Sequence, residues 1–254
     1  MPIFVRYCFA DREHYGLLAG EERVRRITGS PFDGFQETGE ILDLAAVRIL
    51  PPCRPTKVIA VGLNYRDHAR EFNLEVPDEP LVFMKPASAL LAHGEPIVAP
   101  TMSQRVDFEA ELGVVLGRTC RKVTREQARE YILGFICVND VTARDLQSKD
   151  GQWTRAKSFD TFCPVGPFLV TEVNPADLAV QSYLNGELRQ SSRTRELIFS
   201  VEELVSFISQ IMTLFPGDII STGTPSGVGP MKPGDTIEIR VEQVGRLVNT
   251  VVGE

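Results

Sequence analysis

Most apolar residues of the chain occur in short runs bounded by Gly, Pro, Asn or Asp, which is the pattern of β-strands. Asn185 and Gly186 lie between two such runs, and because both positions tolerate positive φ they predict a hairpin turn. The strands that the runs predict are 3–9, 23–27, 58–62, 81–84, 110–116, 133–138, 168–171, 180–184, 218–222 and 236–241.

Helical patterns are fewer. Segment 125–131 follows Thr124, a suitable N-cap, and segment 201–212 begins after Ser200, which has the capping-box spacing to Glu203. A polar segment at 64–73 could open a further short helix. Helices and strands do not alternate as a doubly wound fold requires, so the predicted class is mostly β with few helices (α+β).

A cluster of prolines interrupts this pattern. Pro51, Pro52 and Pro55 separate two patterned regions and predict a domain boundary. We therefore expect a small β-rich domain at residues 1–55 and a larger domain, which carries the candidate chemistry, at residues 56–254.

Composition narrows the classes of function. The 254 residues carry a net charge of −7 without a basic run that could follow a phosphate backbone, so we expect no nucleic-acid partner. The sequence contains no apolar run of transmembrane length, so we expect no membrane partner and a cytoplasmic protein. The five cysteines form no CxxC pair and no two of the three histidines have metal-ligand spacing, which disfavours a disulfide framework and a zinc site.

Three carboxylates lie at alternate positions beside a strongly apolar run. In a strand, Asp107, Glu109 and Glu111 would project from one face. Ionised carboxylates that share a partly buried site repel one another unless a cation neutralises them, which a divalent metal does well. The alternative is a half-solvated strand with polar residues outward, and spacing alone favours that alternative by about two to one.

A third ligand would reverse this preference. Asp140 ends the apolar run 133–138 and is the candidate, although acids at strand ends are often loop caps. Three carboxylates without histidine form a hard oxygen site, which suits Mg²⁺, Mn²⁺ or Ca²⁺ better than Zn²⁺.

Two further features have both a functional and an ordinary interpretation. His68 and Glu71 are three residues apart, so on a helical turn they could form a general base and its orienting acid, or a surface ion pair. Lys157 could balance the acids or a developing enolate, or it could be a solvated surface charge.

The glycine-rich loop 220–229 resembles a phosphate loop, but the Lys of a Walker motif and the following helix are missing. We therefore reject nucleotide binding. Its backbone N–H groups and the hydroxyls of Thr222 and Thr224 could hold a substrate carboxylate, and the ordinary alternative is a tight interstrand turn.

Taken together and in this order, these motifs resemble the fumarylacetoacetate hydrolase family over roughly residues 57–248. The family's metal signature matches the two glutamates at 109 and 111 and the aspartate at 140. Its lysine segment matches residues 153–159, and its Thr-Gly-Thr-Pro-x-Gly-Val-Gly loop matches residues 222–229. Its lid motif matches Gly62, Asn64, Tyr65, His68 and Glu71.

The resemblance implies a role for each matched residue. Glu109, Glu111 and Asp140 would bind Mg²⁺ or Mn²⁺, with Ca²⁺ possible in a crystal. The dyad of His68 and Glu71 would activate water, and Lys157 would be the active-site lysine. The substrate contacts would be Arg144, Gln147, Gly223 and Thr224. We assign Asp107 a role outside the ligand set, either beside the ligands or at the surface.

The resemblance also implies a fold and an assembly. Members of the family form a mixed β-sandwich roll, are usually dimeric, and in some bacteria carry a small additional N-terminal β domain, which residues 1–55 fit. We therefore expect a homodimer.

The leading functional hypothesis is hydrolysis of a C–C bond in a small anionic β-diketo acid such as an acylpyruvate. The close alternative is isomerisation or decarboxylation of a 2-hydroxy-dienoate or an oxaloacetate-like acid, because all of these reactions need the same stabilised enolate. A non-catalytic protein that binds metal and carboxylate is the alternative from another class.

Overall fold

The computed structural model describes residues 2–71 and 75–254, with the backbone alone at positions 68, 69 and 71. The helices are α1 (Arg66–Glu71), α2 (Arg144–Asp150), α3 (Thr154–Lys157) and α4 (Val201–Ile211). The strands are β1 (Ile3–Phe9), β2 (Arg12–Leu18), β3 (Arg23–Ser30), β4 (Gly34–Asp43), β5 (Arg48–Ile49), β6 (Val58–Gly62), β7 (Leu81–Lys85), β8 (Leu90–Leu91), β9 (Ile97–Ala99), β10 (Val106–Phe108), β11 (Ala110–Leu116), β12 (Ile132–Asn139), β13 (Thr142–Ala143), β14 (Cys163–Val170), β15 (Ala179–Leu184), β16 (Glu187–Arg193), β17 (Ile219–Ser221), β18 (Gly229–Met231), β19 (Thr236–Val241) and β20 (Gly245–Gly253).

Three sheets organise these strands. The largest has the order β4-β3-β2-β1-β14-β12-β11-β17-β6-β7, with β5 beside β1 and β8 beside β14. The others have the orders β13-β10-β18 and β16-β15-β19-β20-β9. The predicted class, mostly β with few helices, is confirmed.

The N-terminal strands extend the largest sheet. β1 to β4 follow one another as antiparallel neighbours, and β1 pairs with β14 from Ile3 opposite Val170 to Val5 opposite Phe168. The division of the chain at residue 55 into two domains stays a prediction.

The main core lies between the largest sheet and the five-stranded sheet. Alternate residues of β19, Ile237 and Ile239, belong to the same buried cluster as Leu112 and Val114 of β11. Because side chains of a strand alternate between faces, β19 can cover this core with one face and meet solvent with the other. This packing fixes the position of β11, the strand that contains Glu111 and directly follows Glu109.

Two local predictions are confirmed. Asn185 and Gly186 have φ of 53° and 84° and join β15 to β16, as the hairpin signal requires. Helix α4 begins after Ser200, whose hydroxyl accepts from the Glu203 N–H while the Glu203 carboxylate accepts from the Ser200 N–H.

The α-helix predicted at 125–131 is wrong. The segment forms a turn and then a 3-10 helix at Ala128–Tyr131, and the N–H of Thr124 donates to the side-chain oxygen of Gln127 instead of Thr124 capping a helix. Only Ala128 of this short helix is buried, so there is no apolar face to stabilise further turns. None of the helices in the described part of the chain has the length and apolar character of a membrane-spanning helix.

Candidate metal centre and active site

The ends of two paired strands bring Glu109 and Asp140 together. β11 and β12 are antiparallel, with Ala110 opposite Asn139. Glu109, just before β11, therefore lies next to Asp140, just after β12. The N–H of Asp140 donates to the carbonyl of Glu109 at 2.9 Å, and the side-chain oxygen of Asn139 accepts from the N–H of Glu109 at 2.9 Å. Glu109 thus becomes a neighbour of Asn139, 30 positions further along the chain, and of Asp140 beside it through sheet register.

The loop after β17 holds Glu111. The Ser221 hydroxyl and the Gly223 N–H donate to Oε2 of Glu111 at 2.5 and 2.8 Å. Gly223 has a φ of 99°, and a Cβ there would lie 2.7 Å from Cβ of Asn64, so this position requires glycine. Gly223 was predicted as a substrate contact. In this structure its N–H donates to Glu111.

The three acids form one compact oxygen cluster. Glu109, Glu111 and Asp140 each offer an oxygen within 4.8 Å of the others, and all three are buried, with Glu109 only 5% exposed. The half-solvated strand considered as the alternative is therefore wrong. Because all three donors are carboxylates, the cluster fits a hard divalent cation such as Mg²⁺ or Mn²⁺.

Two buried lysines compensate part of this negative charge. Nζ of Lys157, in α3, donates to Oε2 of Glu109 at 2.9 Å and to Oδ2 of Asp140 at 2.6 Å. Nζ of Lys85, the last residue of β7, contacts Oδ1 of Asp140 and donates to the carbonyl of Val141 at 3.1 Å. Lys85 was not among the sequence-predicted site residues. Its signal would have been a lysine that directly continues the apolar run 81–84.

A guanidinium joins the cluster to Asp107. Arg144 begins α2, and its Nε donates to Oδ2 of Asp107 at 2.9 Å, its Nη1 to Oε1 of Gln147 at 2.7 Å, and its Nη2 to Oε1 of Glu109. Asp107 is fully buried and also accepts from Arg105. The surface position suggested for Asp107 is wrong, whereas a position beside the ligands agrees with its contact to Arg144.

The surrounding charges shift the acids in opposite directions. Burial, with help from Asp140 and Glu109, raises the pKa of Glu111 to about 8. Burial also opposes ionisation of Glu109, but Lys157 and Arg144 outweigh it and lower the pKa of that carboxyl. For Lys157, the charges of Asp140 and Glu109 overcome burial and raise the pKa of the ammonium. Glu109 is thus stabilised as an anion, whereas ionisation of Glu111 is unfavourable.

The cluster opens into a cavity of about 520 Å³. Lys157, Arg144, Gln147 and Thr224 line it together with the acids. The rings of Phe83 and Trp153, with centroids 5.0 Å apart, form an apolar wall. This combination of apolar wall and convergent charges is typical of a small-molecule site.

The loop hydroxyls are mostly used within the protein. Thr222 is fully buried, and its hydroxyl donates to the carbonyl of Leu112 at 2.9 Å, so the suggestion that it holds a substrate is not supported. The Thr224 hydroxyl donates to the carbonyl of Ala110 at 3.0 Å and accepts from Gln190 at 2.8 Å. Thr224 still lines the cavity.

The predicted dyad lies on α1. The Asn64 side chain anchors the start of this region by donating to the carbonyl of Thr222 at 2.7 Å and accepting from the N–H of Phe199 at 2.8 Å. His68 and Glu71 belong to α1, but their side chains lie outside the described part of the structure. Their roles stay predictions.

Comparison with known proteins shows to which family this chain belongs. A family model described as fumarylacetoacetate (FAA) hydrolase C-terminal matches residues 57–252. The chain belongs to the fumarylacetoacetate hydrolase family. A second model, described as Rv2993c-like, N-terminal, matches residues 4–52. The resemblance drawn from the ordered motifs is thereby confirmed.

Relatives within the fumarylacetoacetate hydrolase family carry different activities in their names. The 2-hydroxyhepta-2,4-diene-1,7-dioate isomerase of Mycobacterium marinum is 43% identical and superposes with a TM-score of 0.94, covering 100% of this chain and 99% of its own. The oxaloacetate tautomerase FAHD2B, mitochondrial, of Bos taurus is 45% identical over 216 residues, which are 80% of this chain and 69% of that protein.

A third relative in the fumarylacetoacetate hydrolase family was crystallised with a metal. The maleylpyruvate hydrolase of Sphingobium sp. SYK-6, in complex with manganese (II) ion and pyruvate, is 32% identical with a TM-score of 0.83 and covers 100% of this chain and 99% of its own.

Proposed function

We propose that this member of the fumarylacetoacetate hydrolase family is a divalent-metal-dependent enzyme that stabilises the enolate of a small 2-oxo acid. The observation that carries the proposal is the buried cluster of Glu109, Glu111 and Asp140, with the ammonium of Lys157 beside it at the base of a cavity. A purely structural cluster would not need to open into a cavity lined by the same acids.

The three acids would hold Mg²⁺ or Mn²⁺. A cation bound there would supply Lewis-acid polarisation of the 2-oxo acid oxygens. The relative that was crystallised with manganese and pyruvate supports this class of ligand for the present site.

The other residues would orient the substrate and stabilise its charge. Arg144 and Gln147 lie one turn apart on α2 and both line the cavity, so they would hold the substrate carboxylate. Lys157 Nζ, whose pKa is raised by Asp140 and Glu109 against the effect of burial, would keep its proton and stabilise negative charge on the substrate oxygen.

Isomerisation between the keto and enol forms of a 2-oxo acid is the first reaction to test. This reaction needs the stabilised enolate and a proton transfer, but no attacking water. The isomerase and tautomerase named among relatives at 43% and 45% identity support it.

Hydrolysis of a C–C bond is the second candidate. It would require His68 and Glu71 to activate water, and the Gly-x-Asn-Tyr-x-x-His motif that contains them is intact in the sequence. The relative named maleylpyruvate hydrolase, at 32% identity, supports this alternative. The expected partners are then a small anionic oxo acid and a second copy of the chain, and both stay proposals.

The two reactions can be separated with the same protein sample. The chain would be stripped of metal, reloaded with Mg²⁺ or Mn²⁺, and assayed for enol-to-keto conversion of oxaloacetate, for its decarboxylation, and for hydrolysis of acetylpyruvate. We expect metal-dependent conversion of oxaloacetate that Glu111→Gln abolishes together with Mn²⁺ binding. Glu95→Gln, at an acid that pairs with Arg48 away from the cavity, is the matched control. Tight Mn²⁺ binding without turnover of any of these compounds would favour a binding protein instead.

A further inference from the structure

A second guanidinium lies at the cavity and has no role in the function proposed above. Arg105 lines the same cavity as the acid cluster, and 51% of its side chain is exposed, compared with 25% for Arg144. We propose that Arg105 binds a second carboxylate of the substrate, so that the preferred substrates are 2-oxo dicarboxylic acids. This inference rests on the proposed function and specifies its substrate class.

Within the described part of the chain, Arg105 is held firmly from one side only. Its Nε and Nη2 donate to Oδ1 and Oδ2 of the fully buried Asp107 at 2.9 and 3.1 Å. These two bonds leave Nη1 for a ligand. A guanidinium whose inner edge is fixed by a buried carboxylate loses little side-chain entropy when it binds an anion from the cavity.

The other bases of the site are already engaged. All three nitrogens of Arg144 contact Asp107, Gln147 and Glu109, so only the second N–H groups of its Nη1 and Nη2 are left, and these would serve the first carboxylate of the substrate. Lys157 contacts two acids of the cluster, and Lys85 contacts one. Among the described cavity-lining residues, Arg105 is therefore the cation that is half exposed. A second carboxylate of the substrate would bind to it.

The charge of the site fits a dianion. Four acids and the four bases that contact them cancel in formal charge, and a bound divalent cation leaves two positive charges uncompensated. A dicarboxylate supplies two negative charges. The acids are Asp107, Glu109, Glu111 and Asp140, and the bases are Lys85, Arg105, Arg144 and Lys157.

The two arginines are close enough to act on one small molecule. Oδ2 of Asp107 accepts from Nη2 of Arg105 and from Nε of Arg144, at 3.1 and 2.9 Å. The two guanidinium groups thus share one carboxylate oxygen. A substrate whose first carboxylate is held by Arg144 can place its second carboxylate at Arg105 without leaving the cavity.

A pair of compounds that differ only in the second carboxylate tests this assignment. Oxaloacetate and its 4-methyl ester would be compared in the tautomerisation assay with the Mn²⁺-loaded protein. We expect Arg105→Gln to lower the ratio of kcat/KM for oxaloacetate to that for the ester by about tenfold or more, mainly through KM, because a charge-assisted hydrogen bond is lost. Arg105→Lys should restore part of the ratio. Arg189→Gln, in the neighbouring cavity that Arg105 also borders, is the matched control and should leave the ratio unchanged.

Binding provides a second measurement that does not depend on turnover. In calorimetry with the Mn²⁺-loaded protein, Arg105→Gln should weaken oxaloacetate about tenfold more than the ester. An unchanged ratio in Arg105→Gln, or an equal fall in Arg189→Gln, would overturn the assignment. If the unsubstituted protein tautomerises neither compound, the isomerisation proposed above fails, while a binding preference for oxaloacetate that depends on Arg105 would still support the assignment.

Discussion

Nζ of Lys157 lies 2.6 Å from Oδ2 of Asp140, and both side chains are buried. Lys85 contacts the other oxygen of the same carboxylate. Asp140 is thus compensated from two sides without a metal ion, whereas Glu111, among the described residues, accepts only from Ser221 and Gly223, neither of which carries a charge. The unfavourable charge of the cluster therefore falls on Glu111, whose pKa is raised to about 8 by burial and by its acidic neighbours.

Removal of Lys85 should destabilise the metal-free protein more than the metal-bound protein. Lys85→Met leaves the buried carboxylate of Asp140 with one cation fewer, and breaking a buried ion pair in this way costs about 3 kcal/mol or more. A bound divalent ion would replace part of the lost charge. Urea unfolding with and without saturating Mn²⁺ measures the difference.

Lys57→Met is the matched control for that experiment. Lys57 pairs with the buried Asp218 at 2.6 Å, outside the acid cluster. Saturating Mn²⁺ should therefore not reduce the loss of stability caused by this substitution. If Mn²⁺ leaves the loss in Lys85→Met unchanged as well, the link between Lys85 and the metal ligands is wrong.

Metal affinity should depend on pH through Glu111. Below about pH 8 this carboxyl holds a proton in the metal-free protein, and a cation must displace it. The affinity for Mn²⁺ should therefore fall by about tenfold for each pH unit below about 8 and change little above it. Calorimetry in buffers of different ionisation enthalpy should detect release of about one proton per ion.

The variant Glu111→Gln isolates this effect, because it has no carboxyl proton to release. It should bind Mn²⁺ weakly and without the pH dependence described above. An affinity of the unsubstituted protein that stays constant across this pH range would contradict the assignment of Glu111 as the titrating ligand.

Gly223→Ala should weaken metal binding beyond the effect of backbone strain. Its Cβ would lie 2.7 Å from Cβ of Asn64, and relief of that contact would move the N–H that donates to Glu111. We expect the affinity for Mn²⁺ to fall about tenfold or more, since ligand-supporting contacts typically contribute that much. Gly234→Ala has a similar φ of 96° but meets nothing within 4 Å, so it should lose stability without losing metal affinity. Equal effects of the two substitutions on Mn²⁺ affinity would show that strain alone is responsible.

Arg144→Lys should impair substrate binding although the charge is kept. The planar guanidinium contacts Asp107, Gln147 and Glu109 at once, and the ammonium of a lysine cannot make the same three contacts in this geometry. We expect KM for the 2-oxo acid to rise about tenfold or more. Arg121→Lys, where the guanidinium donates to the carbonyls of Ser209 and Gln210, is the control and should leave KM unchanged. Steady-state kinetics on the metal-loaded protein would show whether the rise is confined to Arg144→Lys.

Local sequence signals predicted much of the fold because they act over a few residues. The hairpin at Asn185 and Gly186 depends on two φ angles, and the start of α4 depends on the capping box of Ser200 and Glu203. The helix predicted at 125–131 was wrong because it lacked an apolar face to bury, and local capping potential did not compensate. Strands such as β4, whose side chains are mostly exposed, gave no apolar run and were not predicted.

The order of the motifs was sufficient to predict the family and the residues of the candidate site, because the sequence gives the type of each residue and therefore its chemistry. Tertiary structure alone decided which of these residues meet. The register of β11 on β12 brings Glu109 to Asp140, and the end of β7 brings Lys85 to the same carboxylate. Burial also depends on every layer that covers a residue, so no local pattern could show that Asp107 lies in the interior between two arginines.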